Sequence, residues 1–124
     1  MKTVIIDTNA LLAIALFRID LFSEIERTCD FPYRLAVLQG TIRELESLAT
    51  TEKGKFTPAA RLALALLKAK SITVLKSTGK VDDALVMESR KGALVLTQDK
   101  ELKRRLQKPY LTIRQKKYVT VVSA

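Results

Sequence analysis

Asp7, Asp82, Asp83 and Asp99 are four of only six aspartates in a chain with no histidine and one cysteine. Without imidazole, Ser-His-Asp and Cys-His nucleophiles, zincins and histidine general bases are excluded. One thiol cannot make an intrachain disulfide or a thiolate zinc site. The remaining chemistry belongs to carboxylates, hydroxyls, lysine, arginine and a hard cation that prefers oxygen ligands.

The four aspartates sit where a strand ends or a helix begins. Asp7 follows the apolar run Thr3–Ile6, Asp82-Asp83 opens a helical stretch, and Asp99 stands between a strand and a basic helix. In an open parallel α/β sheet, strand C-termini and the helix N-termini that follow share one edge, where ligands bind. Acids spread over several such junctions therefore converge, and their mutual repulsion raises some of their pKa values unless a cation is present. Mg²⁺ or Mn²⁺ suits such a donor set, and one or two of these ions activate a water and steady the leaving oxygen of a phosphodiester.

Each acid also has a plainer reading. Asp99 divides evenly between helix cap and ligand, and Asp82-Asp83 reads equally as an N-cap with a favourable charge in the first turn. Glu44 closes the capping-box pattern Thr41-Ile42-Arg43-Glu44, which on residue pattern alone outweighs a ligand role. Asp7 is different, because Asp7-Thr8-Asn9 offers more polar groups than capping requires. Thr8, Ser77 and Thr97 are read as supporting hydrogen bonders.

The elements that must position these acids alternate between short apolar runs and helical patterns. Strands are expected at Thr3–Ile6, Arg34–Leu38, Ile72–Leu75, Ala93–Leu96, Leu111–Ile113 and Tyr118–Val122. Helices are expected at Ala10–Phe17, Leu21–Thr28 with Asp20 as N-cap, and Thr41–Ala49. Three more follow: Ala59–Lys70 after a Thr57-Pro58 start, Asp82–Lys91 closed by Gly92, and Asp99–Gln107 stopped by Pro109. This alternation predicts an α/β fold of three layers, α/β/α, around a central and mainly parallel sheet. No repeat or linker interrupts the 124 residues, so one domain is expected.

Lys and Arg number 22 against 13 Asp and Glu, a net charge of +9 that favours a polyanionic partner such as nucleic acid. Asp7 and Asn9 interrupt the apolar N-terminal run, and no stretch reaches the roughly 18 apolar residues of a membrane span. A soluble cytoplasmic protein is expected, with Cys29 as a small buried apolar residue. Tyr33, Tyr110 and Tyr118 are read as packing at element edges before base stacking, and Lys116-Lys117 as a weaker basic site.

DTNALL at 7–12, IREL at 42–45, VDDALV at 81–86 and LTQDKEL at 96–102 resemble, in order, the four acidic motifs of PIN domains. These are metal-dependent nucleases that include the toxin half of toxin–antitoxin pairs and ribosomal-RNA processing factors. The likeness spans Thr3 to about Ile113 and, through DKELKRRLQK at 99–108, is nearest to archaeal PIN proteins of the rRNA-processing type. It implies Asp7, Glu44, Asp83 and Asp99 as catalytic, metal-holding acids, with Asp82 ranked below Asp83 because the family acid directly precedes Ala-Leu. Asn9 and Thr97 match supporting positions, and Gln98 departs from the residue types common before the last acid.

The implied activity is hydrolysis of single-stranded RNA with Mg²⁺ or Mn²⁺. The RNA backbone would lie across Lys100, Lys103, Arg104, Arg105 and Lys108, where helical spacing puts Lys100, Arg104 and Lys108 on one face. An antitoxin or a ribosome-assembly partner and a homodimer belong to the same implication. The competing function is a non-catalytic RNA-binding scaffold of this fold. A receiver-like phosphoacceptor is set aside, because it needs an acid pair after the first strand rather than late in the chain.

Overall fold

The computed structural model describes residues 1–123. A six-stranded sheet in the order β3-β2-β1-β4-β5-β6 is built from β1 (Lys2–Ile6), β2 (Tyr33–Leu38), β3 (Thr73–Leu75), β4 (Leu94–Leu96), β5 (Tyr110–Arg114) and β6 (Tyr118–Val122). All neighbours run parallel except β5 and β6, which form an antiparallel hairpin. The helices are α1 (Thr8–Leu16), α2 (Leu21–Thr28), α3 (Gln39–Ala49), α4 (Thr57–Ala69), α5 (Val81–Arg90) and α6 (Lys100–Arg105).

The continuous apolar runs of β1 and β4 follow from burial on both sheet faces. Val4 and Ile6 join Leu11, Ile25, Leu45, Ala60 and Leu67 in the core beneath α1–α4, whereas Ile5 joins Leu85, Val86 and Leu102 beneath α5 and α6. Val95, between Leu94 and Leu96, belongs to this second core. The three-layer α/β architecture is thus the one the alternation calls for. Among the described residues, no helix is long and apolar enough to cross a membrane.

Strand order reverses direction at β1: the chain moves out through β2 and β3, then crosses back to β4 on the far side of β1. Such a switch point leaves a crevice at the C-terminal edge between the two central strands, and Asp7 and Thr97 leave the sheet there. The two ends are stitched together by the Asp7 N–H donating to the Leu96 carbonyl at 2.9 Å.

Several element boundaries differ from the expected ones. Helix α1 starts at Thr8, with Asp7 as its N-cap, so no loop separates it from β1. Helix α3 starts at Gln39 directly after β2, which places Thr41 inside the helix, and the expected Thr41–Glu44 capping box does not form. Thr57 is the first residue of α4, with Phe56 at the cap position, and its hydroxyl instead donates to the Thr51 carbonyl at 2.8 Å. Helix α6 stops at Arg105, so Lys108 does not continue the face of Lys100 and Arg104. Asp20 does cap α2, accepting from the Ser23 amide and hydroxyl.

Candidate active site

Asp7 is the centre of the site. It is 5% exposed, and both of its oxygens are held: Oδ1 accepts from the Thr8 N–H at 2.8 Å and Oδ2 from the Thr97 hydroxyl at 2.7 Å. Burial pushes its carboxyl up to about 6, against the lowering effect of those two bonds, and the charges of Asp82 and Glu44 push it further. Three acids from three segments therefore share one field at the switch point.

Around Asp7 the polar side chains connect the segments. The Thr97 hydroxyl also accepts from the Asp99 N–H at 3.1 Å, and Asn9 Oδ1 accepts from the Gln98 N–H at 3.1 Å. These bonds tie the loop after β4 to the start of α1. On the opposite side, the Thr8 hydroxyl donates to Glu44 Oε1 at 2.8 Å, so Glu44 is turned toward Asp7 rather than back onto its own helix. Asp99 caps α6, with Oδ1 accepting from the Glu101 and Leu102 amides at 2.9 and 3.1 Å.

The adjacent pair on α5 divides. Asp82 is half-buried and its charge is felt at Asp7; Asp83 is exposed and bound by Arg105 Nη2 at 2.7 Å. That guanidinium holds the Asp83 carboxyl below the usual range. Asp83 lines a cleft with Gln39, Lys76 and Met87. Successive residues on a helix point about 100° apart, and of the two it is the Asp82 charge that acts on Asp7. A wider cleft lies at the opposite, N-terminal edge of the sheet, lined by Lys2, Thr3, Arg34 and Ala93. Its acid, Glu88, is paired with Lys91.

One feature that sequence reasoning passed over shapes the site. Gly40, in the first turn of α3, lies so close to α5 that a Cβ there would stand 2.7 Å from Val81 Cγ2. Its N–H donates to Ser77 Oγ at 3.0 Å, so this glycine brings the start of α5, with Asp82, against the helix that carries Glu44. A glycine two residues past an apolar run was the available signal. Of the basic residues on and after α6, Arg104 is paired with Glu101 and Arg105 with Asp83, while Lys100 and Lys103 are not ion-paired among the described residues.

The donor set is oxygen only, which fits Mg²⁺ or Mn²⁺ better than a softer ion. A buried carboxylate raised by two like charges is the environment a cation relieves. Among the described residues no three acids close on a single point, and Glu44 is held by the Thr8 hydroxyl. The residues therefore fit a hard cation in charge and donor type, with water completing its shell as Mg²⁺ commonly requires.

Comparison with known proteins agrees with this geometry. Residues 4–116 match the family model described as a PIN like domain. Over 106 residues the chain is 33% identical to Ribonuclease VapC9 of Archaeoglobus fulgidus, covering 84% of this chain and 75% of that protein. The solved structure of the PIN domain endonuclease Utp24 superimposes with a TM-score of 0.78 at 27% identity, covering 98% of this chain and 92% of the other.

Proposed function

The chain belongs to the PIN-like domain family of nucleases, and from that footing we propose that it is an endoribonuclease cutting single-stranded RNA with the help of Mg²⁺ or Mn²⁺. The observation that carries the reading is Asp7: a buried, hydrogen-bonded carboxylate at the sheet's switch point, facing the charges of Glu44 and Asp82. A relative named a ribonuclease and a structural neighbour named an endonuclease support the same activity.

In this reading Asp7, Asp82 and Glu44 hold the cation, with Asp99 beside them and Asp83 retained as the alternative ligand from α5. The chemistry such an ion supplies is activation of the attacking water and neutralisation of charge building on the phosphodiester oxygens. The chain's own work is positional. Thr97 and the Thr8 amide aim the two Asp7 oxygens, and the Thr8 hydroxyl aims Glu44. Asn9 fixes the backbone of Gln98 and thus the start of α6. Because these bonds exist before substrate arrives, little reorganisation is needed when it binds.

Lys100, Lys103 and Lys108 supply positive charge for the RNA backbone, and Arg104 and Arg105 join them only when released from their acids. Toxin and RNA-maturation roles use identical chemistry, so the partner is either a small antitoxin or a ribosome-assembly factor. Co-purification of the protein expressed in its own host separates the two.

The test is incubation of purified protein with labelled single-stranded RNA and Mn²⁺, repeated with Asp7→Asn. Cleavage by the parent and none by the variant is expected. Cleavage unchanged by the substitution overturns the assigned site, and RNA binding without cleavage by either protein selects the scaffold alternative.

A further inference from the structure

Thr3 and Arg34 are register partners across the parallel strands β1 and β2. Each stands two residues before a member of the core beneath α5 and α6, Ile5 in one strand and Ala36 in the other. Side chains two apart along a strand share a face, so Thr3 and Arg34 point to the α5 side. Helix α5 ends at Arg90 and leaves part of that face open as a cleft of about 630 Å³, bordered by Glu88, Lys91 and Gly92. This volume lies within the roughly 300–1,000 Å³ of small-molecule sites, which combine apolar walls with a few placed polar groups.

The lining divides by chemistry. Half-buried Phe31, Leu75 and Ala93 make an apolar wall, whereas Arg34, Lys2 and Lys91 are exposed cations. The acid in the lining, Glu88, is met by Lys91 at 3.3 Å, so its charge is not spent on Arg34. Arg34 is nonetheless held, its Nε donating to Thr3 Oγ1 at 3.0 Å. That bond fixes the guanidinium and leaves the terminal nitrogens, which grip a phosphate as a fork, without a partner among the described residues. Glu88 meets Lys91 through Oε2, and its Oε1 is left to accept from a hydroxyl. An anchored fork, a wall with an aromatic ring and a carboxylate oxygen thus line one cavity. They match the phosphate, the base and the ribose of a nucleotide.

We propose that this cleft binds a free nucleoside monophosphate. Arg34 and Lys2 take the phosphate, Phe31 and Leu75 the base, and Glu88 the ribose hydroxyls. The site lies at the opposite ends of β1 and β2 from the acid edge, and none of Asp7, Glu44, Asp82 and Asp99 lines it. It therefore stands whether or not the chain cuts RNA. A bare phosphate ion is a poorer ligand, because the apolar wall contributes nothing to it.

Isothermal titration calorimetry of the full chain with adenosine 5′-monophosphate tests the site, in EDTA so that no cation carries the phosphate to the acid edge. Saturable binding is expected, with adenosine and inorganic phosphate each at least ~10-fold weaker. Arg34→Ala should weaken the nucleotide ~10-fold or more, and Arg34→Lys should recover only part of that loss. Thr3→Val removes the anchor alone and should cost about 3-fold. Asp7→Asn should bind as the parent does. Absence of saturable binding at millimolar nucleotide, equal affinity for Arg34→Ala, or a loss with Asp7→Asn overturns the site. Inorganic phosphate binding as tightly as the nucleotide, or a 5′-phosphorylated RNA binding more tightly through Arg34, overturns the assignment to a free nucleotide.

Discussion

Asp7 and Asp83 are both aspartates at the start of a helix, yet they occupy opposite physical regimes. Asp7 is almost dry and carries its charge against the penalty of burial, supported by one amide and one hydroxyl. Asp83 lies in solvent and is satisfied by the Arg105 guanidinium. A charge that burial disfavours and that neighbouring acids disfavour further is retained for something absent from its surroundings. A charge that already has its counter-ion is explained by the helix it tethers, α5 to α6. Burial and partnership, more than residue type or motif position, set these two carboxylates apart.

The largest test of that contrast is activity. Asp7→Asn keeps the size but removes the charge and turns one of the two acceptor oxygens into a donor, and a loss on the order of 10³-fold in cleavage rate is expected. On α5 the two neighbours should differ: Asp82→Asn lowers cleavage at least ~10-fold, while Asp83→Asn changes it much less and leaves the melting temperature nearly unchanged, as for surface ion pairs generally. Equal losses at 82 and 83 would break the distinction between the two aspartates. Gly40→Ala should cost about 1–3 kcal/mol by forcing α3 away from Val81, and should lower activity with it. Combining it with Val81→Ala returns the space and should recover part of both, as chemical denaturation and initial rates would show.

A smaller effect has the opposite sign. The folded Asp7 carboxyl stands at about 6 against 3.8 for the free group. Its contribution to stability is thus full below pH 3.8 and lost as pH rises through about 6. Asp7→Asn should therefore stabilise the metal-free protein by about 2 kcal/mol near pH 7.5, with the gain vanishing at pH 3.5. Melting curves at the two pH values check it. A variant less stable than the parent at pH 7.5 would mean that the hydrogen bonds, not the burial, dominate this carboxylate.

The sheet and its helices were legible because the C-terminal halves of β1 and β2 and all of β4 are buried on both faces and must be apolar there, while the helices keep a polar side. The acid edge followed from parallel strands, which send Asp7 and Thr97 to the same end. The boundaries that differ are shifts of one or two residues. Helix α5 begins at Val81, one residue earlier than expected, with Asp82 half-buried and Asp83 exposed. Glu44 matched a capping box only because α3 was taken to start at Thr41; with the helix starting at Gln39, the carboxylate meets Thr8 instead. The length of α6 was overestimated because Gln107 and Lys108 suit a helix locally, while the chain must turn there to enter β5. Gly40 acts through a neighbour far along the chain, Val81, and its place after an apolar run marks the glycine without naming that neighbour.

If Asp7 is the keystone of a cation site, the thermal stability gained in a Mn²⁺ titration at pH 7.5 must depend on its charge. The parent protein should melt progressively higher, gaining about 2.7 kcal/mol once free Mn²⁺ is a hundredfold above its dissociation constant, while Asp7→Asn shifts little over the same range. Equal shifts for the two proteins, or none for the parent, would contradict the account.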